Sequence, residues 1–197
     1  MKSFYGAAAV LAVIGMAGCA QTDETDQEAG TDTAAATAPA TTPAQTTGAV
    51  SDGQILHIAK TANDADIEGG NLAQTKGQNE DVKAFANLMI SDHTAANQAG
   101  MQAAQAGGIS AQDNPTSQQL MADHQAATQR LQSLSGAEFD KAYIAHEVDV
   151  HQKVLNALDQ TLLPSAQNPE LKNVLTQVRA TVEAHLTRAR DIQGKLR

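Results

Sequence analysis

Five side chains stand out by type and spacing: Asp66, His93, Glu147, His151 and His185. Each falls at an inward position of a stretch whose apolar residues recur every three or four places, which puts it on the buried stripe of a helix. A buried charge is costly unless it is paired or coordinated, so such groups must meet one another or a cation. Two outcomes follow. The carboxylates and imidazoles hold a metal ion, with iron, zinc, manganese and copper all suited to that ligand set, or they close a hydrogen-bond network that fixes helix register. Glu147 and His151 are four residues apart and share one helix face, so both reach a common ion. Asp140 and Tyr143 occupy the same stripe and are expected in a buried polar network. Asp140 also suits the helix start after Gly136, where a carboxylate meets free amides, and the Tyr143 hydroxyl should bond one of these polar groups. Under the plainer reading His93 bonds a carbonyl or Tyr143, and His185 pairs with Asp66. His57, His124 and His146 are expected at or near the surface.

Specific enzyme motifs fail. Ferritin-like di-iron sites use Glu-x-x-His on two helices, and the sequence contains none. His146-Glu147 begins His-Glu-x-x-His, but the next histidine is His151, one place too far. Gly69-Gly70 and Gly107-Gly108 lack the strand and lysine of a phosphate loop. There is no serine or cysteine nucleophile motif and no basic patch with interleaved aromatics. The chain carries a net charge of −9, which argues against a nucleic-acid partner.

The elements that must position these groups are helices. Gln-, Ala- and Thr-rich segments with three Phe and no Trp suit close helix packing rather than strands. Ser51-Asp52-Gly53-Gln54 is a cap signal, and the periodicity predicts helices over about 52–76, 80–106, 137–163 and 169–194, with a shorter one over about 116–134. Pro164 is expected to stop the fourth of these. Long helices on short loops predict an all-α, up-and-down four-helix bundle with one extra short helix.

The polar residues, in order, resemble a known family. Ala65-Asp66-Ile67-Glu68, then Val82-Lys83-Ala84-Phe85-Ala86 with Met89 and Asp92-His93, then Gly136-Ala137-Glu138-Phe139-Asp140-Lys141-Ala142-Tyr143, then Val148, His151 and His185-Leu186 resemble DUF4142 over about residues 51–192. The resemblance implies an exported bacterial protein with a ferritin-like bundle, and no assigned activity. The family usually carries Glu at the position of Asp66, and Asp is one methylene shorter.

The N-terminus reads as a lipoprotein signal. Lys2 precedes an apolar run from Ala7 to Ala17, too short to span a bilayer stably, and Met16-Ala17-Gly18-Cys19 resembles the site cut by lipoprotein signal peptidase. Cys19, the sole cysteine, is the expected acylation point, so no disulfide forms. Residues 1–18 are then a removable signal, and residues 19–50 a Thr/Ala/Pro-rich tether with too few large apolar residues to fold. Residues 51–197 form the bundle. Ala20 after the cysteine favours the periplasmic face of the outer membrane, reached through the lipid anchor. The leading expectation is a non-catalytic, lipid-anchored periplasmic bundle with an envelope protein partner or a stress role. The alternative is a metal-binding or redox bundle built on His93, His151 and His185 with Asp66 or Glu147; a third reading, ranked below both, is peroxide or oxidant handling through such a metal.

Overall fold

The computed structural model describes residues 50–196. The signal segment 1–18, Cys19 and all of the 19–50 tether except Val50 lie outside the described residues. Among the described residues the chain is all helical: α1 Asp52–Lys76, α2 Glu80–Gly107, α3 Pro115–Gln132, α4 Gly136–Ala157, a π-helical turn Leu158–Leu162, the single turn α5 Leu163–Ser165, and α6 Pro169–Lys195. Among them no helix is long and apolar enough to cross a membrane.

The starts of α1, α2, α3 and α6 are each fixed by a side chain that satisfies helix amides left free by the missing preceding turn, whereas Ser135 before α4 makes no such bond. Ser51 and Gln54 form a reciprocal capping box at α1, and Asn114 with Ser117 forms another at α3. Asn79 accepts from the amides of Asp81 and Val82 at α2, and Asn168 from those of Glu170 and Leu171 at α6. Helix α2 ends at Gly108, whose φ of 62° is the left-handed conformation that glycine adopts without penalty. At Gly70 a Cβ would lie 2.9 Å from the Ala86 carbonyl oxygen, so glycine is what lets α1 and α2 approach there.

Pro164 does not stop the fourth long helix. The helix continues through the π turn, where the Leu163 amide donates to the Leu158 carbonyl, five residues back, and Pro164 sits in the first turn of α5. The wider turn gives room for the pyrrolidine ring, which in a regular α-helix would collide with the carbonyl four residues earlier. The chain leaves the helix only at Ala166.

Helix α1 packs on α2, α2 on α6, α6 on α4, and α4 on α1, so the four long helices close a ring; α3 lies outside it, mainly against α1. The interior divides into layers. One apolar cluster contains Val82, Phe85, Met89, Phe139, Tyr143, Ile144 and Ile192. A second contains Ile55, Ile58, Leu158, Leu162, Leu171, Leu175 and Val182. Each large side chain so buried contributes roughly 1.5–3 kcal/mol. Between the two clusters lies a polar layer to which every long helix contributes. It comprises Asn63 and Asp66 on α1, His93 on α2, Glu147 and His151 on α4, and His185 on α6, all buried.

Candidate metal centre

The ring of helices brings the three predicted inward histidines together. Ring centroids are 5.8 Å apart for His93 and His151, and 5.4 Å for His93–His185 and for His151–His185. One ligating atom from each lies within 4.8 Å of those of the other two. Phe85 supports the group, with its ring edge-on at 6.4 Å to both His151 and His185.

Each imidazole bonds through one ring nitrogen and leaves the other without a hydrogen-bond partner. The His151 Nδ1–H donates to the Glu147 carbonyl at 3.0 Å. The His185 Nε2–H donates to the Asp92 carboxylate at 3.0 Å. His93 Nδ1 lies 2.9 Å from Asn63 Oδ1. Because the Asn63 amide nitrogen donates to Asn97 Oδ1 at 2.9 Å, and Asn97 in turn donates to Asp64 at 2.8 Å, Asn63 presents oxygen to the ring and His93 Nδ1 is the donor. The remaining nitrogens therefore carry lone pairs. These are His93 Nε2, His151 Nε2 and His185 Nδ1, all three buried without a hydrogen-bond partner. A carbonyl, an amide oxygen or a carboxylate behind the distal nitrogen is what orients metal-ligating histidines and sets their tautomer.

Two carboxyls stand beside the imidazoles. Asp66 Oδ2 is 3.3 Å from His93 Nε2, and Glu147 Oε2 is 3.4 Å from His151 Nδ1. Asp66, Glu147 and His151 also offer ligating atoms within 4.8 Å of one another. Glu147 Oε2 and the Tyr143 hydroxyl are buried with no hydrogen bond of normal geometry, although Tyr143 lies beside Glu147. Without a cation every one of these groups is driven toward its neutral form. Burial, and then the other imidazoles, lower His93 from 6.5 to about 3 and His151 to about 4, and burial lowers His185. Burial raises Asp66 from 3.8 to about 7. Burial and then the Asp66 carboxylate raise Glu147 well above 4.5, and burial followed by Glu147 and Asp66 raises Tyr143 well above 10.

The family model described as "Domain of unknown function (DUF4142)" matches residues 34–192. The chain belongs to DUF4142. The match begins inside the segment read as a tether. No curated protein and no solved structure matches the chain.

Within this DUF4142 protein the polar groups do not all converge. Asp140 is buried but stands apart from the histidines. Its carboxylate accepts from the amides of Gln78 at 3.1 Å and Asn79 at 2.9 Å, so it caps the α1–α2 turn rather than the start of its own helix. Its place as the fifth residue of α4 directs it across to that neighbouring turn. Tyr143 bonds none of the histidines, and His185 pairs with Asp92 rather than Asp66. His57, His124 and His146 are half-buried outside the cluster. Two residues take positioning roles that the sequence did not assign them, Asn63 and Asp92. Asn63 stands three residues before Asp66, and Asp92 immediately precedes His93; that adjacency to a predicted ligand was the available signal.

Proposed function

We propose that this protein is a metal-binding, ferritin-like four-helix bundle that holds one divalent first-row transition-metal ion on His93, His151 and His185, with Glu147 and Asp66 completing the ligand set. One observation carries the reading: three clustered imidazoles each keep one buried nitrogen without a hydrogen-bond partner, while the opposite nitrogen of each ring is already bonded. Leaving several buried polar atoms unmatched costs about 1–3 kcal/mol each, and a single cation relieves them together. Metal–nitrogen bonds of about 2.0–2.1 Å require the rings to close in by modest side-chain shifts. Charge also balances, since the three imidazoles are neutral and two carboxylates match a divalent ion. Bound there, the ion supplies a Lewis-acid centre or, for iron, manganese or copper, one capable of electron transfer. Tyr143 and Phe85 keep water from one side of the layer, and Asn63, Asp92 and the Glu147 carbonyl hold the ring orientations.

The direct test is elemental analysis of the purified protein after expression with added iron, zinc, manganese and copper. About one metal per chain is expected; below about 0.1 per chain for every metal ends the reading. The proposal extends to location: export and acylation at Cys19, with the bundle held at the periplasmic face of the outer membrane. It rests on the sequence around Cys19. Cys19→Ser should abolish acyl labelling and membrane retention, and unchanged fractionation would refute it.

A further inference from the structure

Clefts open beside the polar layer, and two of them reach its ionisable side chains. One, of about 410 Å³ between α2 and α6, touches His93 and Asp92. The other, of about 380 Å³ between α1, α3 and α4, has Asp66 and Glu147 in its wall. None of the three clustered histidines lines the second cavity, so a solute entering there meets the carboxylates, not the imidazoles. The walls above them are small: Ala62 and Ala65 on α1 and Ala127 on α3 leave the space that larger aliphatic residues would fill in a closed core. Glu147, 1% exposed, turns an unpartnered Oε2 toward this layer.

The charges of the second cavity are mostly spent. Asp149 pairs with Lys153 at 2.7 Å, His124 with Glu68 at 2.9 Å, and Asp123 accepts from Gln119 at 2.8 Å. Among the described residues the Arg130 side chain has neither an ion-pair nor a hydrogen-bond partner, and it lines the cavity. The α2–α6 cleft carries no cation and has the Asp92 carboxylate at its wall.

From this asymmetry we propose that the cavity between α1, α3 and α4 is the entrance by which a small monoanion reaches the carboxylate side of the metal, with Arg130 as its counter-charge. The inference rests on the metal reading above. A ligand arriving there displaces a carboxylate oxygen from the ion and leaves the three imidazoles in place. Arg130 is then a positioning residue for the anion, and α3 forms the outer wall of its path.

The test uses the full-length protein loaded with Co²⁺, whose visible absorption reports both the metal and any new ligand, with azide as the anion. Wild-type protein should show Co²⁺ bands that azide shifts saturably. Arg130→Gln should keep the bands and bind azide about tenfold more weakly, the size expected of one lost charge near a partly buried anion. Ala65→Leu should keep the bands and lose the azide response, whereas Ala96→Leu, in the α2–α6 cleft, should leave it unchanged. Co²⁺ bands that azide never shifts, azide affinity unaltered by Arg130→Gln, or azide binding lost in Ala96→Leu would each overturn the entrance while leaving the metal reading standing. Absence of Co²⁺ bands would overturn the metal reading and this inference with it.

Discussion

Glu147 distinguishes a metal site from a closed polar core, because the two assign opposite signs to its removal. In the metal-free protein its carboxyl is 1% exposed, one oxygen has no partner, and burial holds its pKa well above 4.5. Glu147→Leu keeps the volume and removes the unmatched oxygen. An unsatisfied buried polar group costs about 1–3 kcal/mol, and exchanging buried ionisable groups for apolar ones of similar size is often neutral or stabilising. The variant should therefore gain about 1–3 kcal/mol in EDTA. At roughly 2–4 °C per kcal/mol for a domain of this size, that raises Tm by about 2–12 °C. The gain should grow with pH, because a carboxyl whose folded pKa is raised costs the fold more as pH climbs above its unfolded value. With metal present the order should invert. Wild type gains about 4.1 kcal/mol at a free metal concentration of about one thousand times Kd, more than the variant's lead in EDTA, and the variant gains far less. Thermal melts of both proteins with EDTA and with Co²⁺ supply the four numbers. A variant less stable than wild type in EDTA by more than about 1 kcal/mol would show that Glu147 belongs to a satisfied network, and the reasoning would fail.

Replacing His93, His151 or His185 singly with Ala should weaken metal binding by at least a hundredfold in competition with a chelator of known affinity; retention within threefold in all three would rule out the shared site. Asn63→Ala and Asp92→Asn, which leave the ligands intact, should each weaken it about 10–100-fold, the usual effect of losing the group behind a ligating histidine; unchanged affinities would show that ring orientation is set elsewhere. The pH dependence of stability should differ between the two forms. In metal-free protein the unfolded chain protonates its histidines below 6.5 while His93 and His151 stay neutral down to about 3 and about 4, so that contribution is lost as pH falls. Asp66, raised from 3.8 to about 7, acts in the opposite direction as pH rises across that window. The opposing slopes cancel in large part between about 4 and 6.5. Above 6.5 only the carboxyls still act, and urea denaturation in EDTA should show stability falling toward pH 8. Metal-loaded protein, its carboxylates ionised and paired, should show no such fall.

The fold class was legible because helix periodicity needs only local sequence. Asp66, His93, Glu147, His151 and His185 each sit at helical spacing among aliphatic neighbours, and all five are buried. Cap positions were equally local, since Ser51 and Gln54 satisfy each other's backbone within one turn. Periodicity names the face of a helix; it leaves open the rotation and axial offset of one helix against the next. Those decide that Asp92 on α2 rather than Asp66 on α1 meets His185, and that Asp140 reaches the α1–α2 turn. They also bring three imidazoles, each with one unpartnered nitrogen, into a single cluster. Pro164 shows the same limit from the backbone side, since a π turn absorbs a residue that local rules treat as a stop. The sequence thus determined which groups must leave water. Tertiary packing decided which of them found a protein partner and which three nitrogens were left for something else.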